Sequence, residues 1–368
     1  MRDIARAAGV STATVSRVLS GSADVSDDLR RKVRSAAAAL NYRPEKARRG
    51  KRARAAKAAE PAAAQAASLE PPAGAAGNVL LYIPDTHAAA LHDRSVGYFA
   101  YVFSGVLSKV QECGLTLSLT PYPAGELAGV LMGENLERLK RGGVKGLLFL
   151  FSNAEEDALL LDSKLPLPWI ALNRKLEGAE LTVRQDERGG AYAAGKHLAG
   201  LGHARVGVLA GPKRFQFFEE RLEGFREGLK DAGVKLPPDL IARSEFSRED
   251  GAASAQRLLA LKEPPTALFA TEEEFAVGAL RYAEKEGLQI PGDFSLVAYS
   301  DFVLSARRGM AVTAVSTPAF ELGYLAVEAL INRSRIANPM RLEIVLQPAL
   351  VVRQSVDAPR PRNGKPRS

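Results

Sequence analysis

The stretch "DIARAAGVSTATVSRVLSG", residues 3–21, decides how this chain is read. Ile4, Ala5, Ala8 and Val10 fall near helical spacing, and so do Val15, Val18 and Leu19 after the break at Gly9-Val10-Ser11. Ser11 can cap the second helix through its hydroxyl. Two short helices joined across a glycine turn have the layout of a DNA-reading pair, an ordinary αα-hairpin being the alternative at this point. In a DNA-reading pair the second helix lies in the major groove with its N-terminal residues against base edges. With Val15, Val18 and Leu19 turned inward, Thr12, Ala13, Ser16 and Arg17 share the outer face, where Ala13 and Arg17 are i,i+4 neighbours. Alanine permits close backbone approach, and Arg17 can donate two hydrogen bonds to guanine O6 and N7. The hydroxyls of Ser11, Thr14 and Ser16 suit phosphate oxygens, which fix the register without reading bases.

A third helix follows, carried by Leu29, Val33, Ala36, Ala37 and Leu40, with Ser26 as its cap and Asp27 and Asp28 in its first turn. It ends near Asn41-Tyr42-Arg43-Pro44, because proline disfavours a helical residue before it. An all-α headpiece therefore spans residues 1–44. Residues 45–77 change character: alanine, arginine, lysine and proline dominate, and large apolar side chains are scarce, the composition of a linker. Residues 1–60 hold 15 Lys/Arg against 6 Asp/Glu, a net of +9, while the whole chain carries +8. All the excess positive charge thus sits at the N-terminus, as in a nucleic-acid-binding arm on a neutral body. Charge alone leaves a merely solvated basic tail open.

From Asn78 to Asp357, short apolar runs alternate with amphipathic stretches. "VLLYIPD", "LTLSLTPY", "VKGLLFLF", "PWIALN", "LTVRQD", "RVGVLAG", "LIARSEF", "TALFAT", "FSLVAYS" and "AVTAVSTP" read as strands. "EERLEGFREGLKDAG", "DGAASAQRLLALK" and "EFAVGALRYAEKEG" read as helices. Such alternation predicts parallel sheets covered by helices on both faces. Ten strands suggest two sheets, with ligands expected beyond the carboxyl ends of the strands. The closing residues 358–368 read as a disordered tail without the heptads of a tetramerising coil.

The totals narrow the function classes. At 368 residues and 46% hydrophobic, the chain is a multidomain globular protein. No apolar run approaches the roughly 18–20 residues of a membrane span, and the first residues lack the pattern of a secretory signal. Cys113 stands alone, which fits a reducing compartment and a cytoplasmic protein. Asp85, His87, His92 and Asp93 cluster in sequence, but on a loop and without the i,i+4 histidines of a helical zinc site. No Gly-rich phosphate loop or G-x-S-x-G turn is present. Cys113 and Trp169 read as packing residues. The expectation is no enzyme, no metal and no cofactor.

"DIARAAGVSTATVSRVLSG" with "VSDDLRRKVRSAAAALNYRP" closely resembles the headpiece of the lactose/galactose repressor (LacI/GalR) family. "GLGHARVGVLAGP", "ERLEGFREGL", "PTALFATEEEFAVGAL", "GDFSLVAYSDF" and "LQPALVVRQSV" resemble its body, so the likeness covers the chain apart from residues 45–77 and the last dozen. It implies a helix-turn-helix headpiece on an α/β, two-lobed, periplasmic-binding-protein-like body of two doubly wound parallel sheets. The chain would cross between lobes near residues 185, 315 and 345. The DNA-binding set becomes Ser11, Thr12, Ala13, Thr14, Ser16, Arg17, Asn41, Tyr42, Arg48, Arg49 and Lys51. The implied effector set is Arg174, Asp186, Arg221, Glu272 and Ser300, to which Tyr98 and Phe99 are added as the start of a helix facing the expected cleft, where they either stack on a ligand or pack the core.

Several of these positions depart from the family pattern. Lys51 stands where a leucine usually wedges into the minor groove, which a lysine cannot do. Glu272-Glu273 replace a common Asn-Asp, Ser300 a common aspartate, and Asn173-Arg174 a common Asp-Arg, while Asp186 is kept and followed by Glu187. Glu272 could pair with Arg221 and close the site, or accept an amine-bearing ligand. One helix pair reads a half-site, so a homodimer on a near-palindromic double-stranded DNA operator is expected. The implied function is a transcriptional repressor modulated by a small molecule, a sugar or derivative among the candidates. The alternatives are a regulator whose degenerate cleft senses a protein partner or nothing, and a sensor that no longer binds DNA.

Overall fold

The computed structural model describes residues 77–85, 97–123, 125–131, 137, 139, 143–150, 154–163, 165–302, 304, 311–333 and 341–360, and in the first 44 positions residues 8, 10, 14, 15, 18, 32 and 33. The chain divides into two units, 1–67 and 68–368. In the first, Ala8, Thr14, Val15, Val18, Lys32 and Val33 are helical. Val15, Val18 and Val33 are buried there. These three valines are thus the described core of this small unit.

The larger unit holds two six-stranded sheets. The first contains β1 (Asn78–Pro84), β2 (Thr116–Tyr122), β3 (Val144–Leu150), β4 (Trp169–Leu172), β5 (Leu181–Gln185) and β11 (Leu342–Leu346), in the order β11-β5-β4-β3-β1-β2. The second contains β6 (Val206–Ala210), β7 (Ile241–Arg243), β8 (Ala267–Ala270), β9 (Ser295–Tyr299), β10 (Thr313–Ser316) and β12 (Ala349–Val351), in the order β12-β10-β9-β8-β6-β7. The two orders repeat one permutation. The described pairings are parallel except that of β12 with β10.

Eight described helices cover the sheets: α1 (Gly97–Glu112), α2 (Leu127–Leu131), α3 (Ala154–Asp162), α4 (Glu187–Gly200), α5 (Gln216–Asp231), α6 (Arg248–Leu259), α7 (Glu273–Glu286) and α8 (Ala319–Arg333). Successive strand residues point to opposite faces, so a strand covered on both sides must be apolar throughout. In β1, Val79, Leu81 and Ile83 pack with α1 and α8, whereas Leu80 and Tyr82 pack with α2. In β9, Leu296 and Ala298 face α6 and α7, and Val297 and Tyr299 face α4 and α5. Both sheets are doubly wound.

Each sheet and its helices form one lobe, and the chain passes between lobes three times. It leaves the first sheet after β5, since α4 already packs in the core of the second. It returns after β10, where α8 joins the core of the first. It crosses finally between β11 and β12, through Gln347-Pro348. Both β11 and β12 were absent from the ten strands read in the sequence. Their residues are exposed or half-buried at sheet edges and form no long apolar run.

Candidate effector site between the lobes

The parallel order aims the carboxyl ends of both sets of strands at the interlobe region. Asn173 follows β4, Gln185 ends β5, Thr271 and Glu272 follow β8, and Ser300 follows β9. Asn173 and Ser300 both have positive φ, 55° and 70°, which turns the chain sharply off each strand.

Arg221 lies at the centre, on the second turn of α5, and is 3% exposed. Its Nε donates to Glu187 Oε2 at 2.6 Å and its Nη2 to Oε1 at 3.2 Å. Nη1 donates to Glu272 Oε2 at 2.8 Å and to the Thr271 carbonyl at 2.7 Å. The guanidinium carbon lies 3.9 Å from the Tyr299 ring centre and 4.9 Å from that of Phe217, which adds cation–π attraction. A guanidinium has five N–H donors; most are already taken.

Glu187, the first residue of α4, ties the two lobes together. It accepts from Asn173 Nδ2 at 2.9 Å and Gln185 Nε2 at 2.7 Å, both on the first lobe, while gripping Arg221 on the second. Burial pushes its carboxyl up, but the Arg221 charge and the donated hydrogen bonds outweigh that and hold it below the ordinary range. Burial also works against the charge on Arg221, yet Glu187 and Glu272 keep it firmly protonated. For Glu272 burial wins and raises the carboxyl, with Arg221 pulling the other way.

Gln185 Oε1 in this network and Tyr98 Oη, within reach of its charges, are buried without a hydrogen-bond partner, as are Ser300 Oγ and Thr317 Oγ1. Such atoms are costly to leave unpaired. Burial and the Glu187 charge drive the Tyr98 hydroxyl well above its ordinary range, and Tyr299 responds in the same way.

The sequence-selected residues fall into distinct places. Arg221 and Glu272 are bonded to each other, Tyr98 lies within reach of their charges, and Ser300 directly follows β9. Phe99 lies apart: it is buried in the core of the first lobe and stacks on Phe103, because one residue along a helix turns the side chain to another face. Arg174 is bonded through Nε to Asp157 of α3 at 2.9 Å, a pair almost wholly buried. Asp186 caps α4, accepting from the Gly189 amide at 2.9 Å. Glu187, Asn173, Gln185 and Tyr299 are members that the candidate set lacked. In the sequence Glu187 and Asn173 show only as departures from a family pattern, and Tyr299 reads as strand core.

In the smaller unit, Thr14 is helical and half-buried. Ser11, Thr12, Ala13, Ser16, Arg17, Asn41, Tyr42, Arg48, Arg49 and Lys51 lie outside the described residues, as do His87, His92 and Asp93. Among the described residues no group of His, Cys, Asp or Glu is arranged to hold a metal ion. No described helix is long and apolar enough to cross a membrane.

Residues 1–45 match the family model for bacterial regulatory proteins, lacI family, and residues 196–356 match a periplasmic binding protein-like domain. The chain is 31% identical over 360 residues to the ribose operon repressor of Haemophilus influenzae, covering 97% of this chain and 98% of that one. It is 28% identical to the transcriptional repressor CytR of Escherichia coli, covering 90% and 89%. A solved transcriptional regulator CelR–cellobiose complex aligns with a TM-score of 0.67 at 25% identity, over 96% of this chain and 98% of that one.

Proposed function

The chain belongs to the LacI family of bacterial regulatory proteins, and from that membership we propose that it is a sequence-specific DNA-binding transcriptional repressor whose DNA affinity is set by a small molecule held between its lobes. The observation that carries this reading is the Glu187 junction. One buried carboxylate bonds Asn173 and Gln185 of the first lobe and Arg221 of the second. A ligand that competes for these groups changes how the lobes are held, which is the differential interaction a switch needs. The relatives support the same reading: one is a ribose operon repressor, and one structural neighbour is a regulator in complex with cellobiose.

The working form is a homodimer in the cytoplasm, because one helix pair reads only half of a near-palindromic site. It performs no catalysis. Arg17 reads a guanine from the major groove, and Ser11, Thr14 and Ser16 hold phosphates. Selection from a randomised double-stranded DNA library with the full chain tests this. The wild type enriches a near-palindrome, and R17A relaxes preference at one base pair per half-site. Enrichment of no common sequence contradicts the reading.

A second reading, a cleft that takes no small molecule, draws on the saturation of Arg221 by Glu187, Glu272 and the Thr271 carbonyl. A broad ligand screen that never shifts DNA affinity supports it over the first.

A further inference from the structure

Beyond β9 the chain passes Asp301, Phe302 and Leu304, and two of these are fastened to the second lobe. Asp301 is paired with Arg353, whose Nη1 also donates to the Val312 carbonyl. Leu304 is buried in the second lobe's core, and its amide donates to Glu273 Oε1 at 2.7 Å. Phe302, between them, packs on the other lobe. Its ring lies against the core formed by α1, α8 and the first sheet. The ring centre is 4.7 Å from that of Tyr101 and 6.1 Å, edge-on, from that of Tyr98.

The first lobe is shaped to receive this ring. A methyl group on Gly97, the first residue of α1, would lie 2.3 Å from Phe302 Cβ, so the ring seats only because α1 opens without a side chain. Tyr101 is 49% exposed, whereas the Tyr98 hydroxyl is buried without a partner. Phe302 thus stands between an exposed ring and a covered hydroxyl. The Glu187 bonds to Asn173 and Gln185, by contrast, sit at the first crossing, where the chain turns from β5 into α4. A bond at a hinge changes little as two lobes turn about it, but a contact on a segment that does not cross must break.

We infer that Phe302 is an interlobe latch: its ring, carried by the second lobe and seated on Gly97, Tyr98 and Tyr101 of the first, holds the lobes together, and opening of the cleft begins with its withdrawal. The anchors at Asp301 and Leu304 make the latch stiff, since they leave Phe302 little freedom to follow the first lobe. Unseating the ring returns apolar surface of both lobes to water, which opposes opening. The same motion uncovers Tyr98 Oη. The latch acts on the angle between the lobes whatever the cleft holds, so it does not depend on the effector reading.

The test is the distance between the lobes. Lys175→Cys, after β4, and Lys213→Cys, after β6, put a spin label at an exposed position on each lobe, with Cys113→Ser removing the native thiol. Double electron–electron resonance on the full chain, diluted with unlabelled chain so that pairs within one molecule are read, gives the distribution with no small molecule added. F302A should move the mean outward by more than about 2 Å and broaden it. G97A should do the same from the first lobe, although alanine ordinarily favours a helix over glycine. It also keeps Phe302 and the whole second lobe intact, which guards against a first variant that fails to fold. The double variant should read no longer than F302A alone, because both changes remove one contact. An unchanged distance in either folded single variant overturns the latch, and so does a double variant whose shift is the sum of the two. Either result leaves the effector reading standing, since no ligand enters the measurement.

Discussion

The guanidinium of Arg221 lies 3.9 Å from the Tyr299 ring centre, and the Tyr299 hydroxyl donates at 3.3 Å to the carbonyl of Glu187, whose carboxylate grips the same arginine. One ring thus backs the cation on α5 and fastens the residue that opens α4. The buried ion pair is held in place by strands and helices of the second lobe before the first lobe contributes Asn173 and Gln185.

Breaking this pair from one side should be costly. E187A leaves Arg221 buried with only part of its compensation, and such losses run to about 3–5 kcal/mol. R221M leaves Glu187 and Glu272 without their cation, and the double variant E187A with R221M should cost less than the two singles summed, since only Glu272 then stays unpaired. Denaturant unfolding of both singles and the double gives the coupling. Equal destabilisation by the double and the sum of the singles would mean the pair does not act as a unit.

Helix packing positions the pair. Gly224 lies one turn beyond Arg221, and a methyl group there would overlap the backbone of Arg188, next to Glu187. G224A therefore forces α4 and α5 apart at the pair, and overpacking of this kind costs about 1–3 kcal/mol. The thermal midpoint should fall, and in the E187A background it should fall less, because the contact being prised open is already gone.

Acid stability should show two opposing limbs. Glu187, held below the ordinary glutamate value of 4.5, binds its proton less readily folded than unfolded. Its contribution is present above 4.5 and is lost as pH falls through the lower folded value. Glu220 is raised, so it favours the fold when protonated, and that benefit is lost as pH climbs from 4.5 through the higher folded value. In thermal midpoints followed from about pH 3 to about pH 7, E187Q should flatten the acid limb, and E220Q should reduce the upper one, to which the raised Glu272 also contributes. A wild-type profile in both variants would contradict these assignments.

Much of the fold is legible in the sequence, for physical reasons. Strands buried on both faces, such as β1 and β9, must be apolar at every position, and they stood out. β11 and β12 sit at edges, where that requirement lapses. Glu272 and Ser300 stand out because each directly follows a recognisable strand, whereas Arg221, within α5, enters only through the resemblance. Phe99 was misplaced because spacing along a helix does not show which neighbouring residue faces the core. Asp186 and Arg174 are polar residues that the fold itself uses, one as a helix cap and one in a buried pair, and their sequence neighbourhood gives no sign of that. Glu187 was invisible as a lobe connector, since its partners Asn173, Gln185 and Arg221 are brought together only by the crossing of the chain.

The basic run Arg43, Lys46, Arg48, Arg49, Lys51, Arg52, Arg54 and Lys57 is opposed locally only by Glu45. Affinity drawn from phosphates carries a salt slope of roughly one unit per phosphate neutralised. Replacing these residues with glutamine should flatten the dependence of log affinity on log salt markedly. Deleting about ten residues within 60–76 should leave operator affinity within several-fold, since effective concentration varies slowly with tether length. Complete loss of specific binding on shortening would make that segment an ordered element instead.

The central claim is that this chain recognises a DNA sequence. Fluorescence anisotropy of the full chain at one fixed salt concentration, on the selected near-palindrome and on a scrambled duplex of equal length, addresses it directly. The selected site should bind at least about 10³-fold tighter than the scrambled one. Equal affinity for the two duplexes would contradict the account.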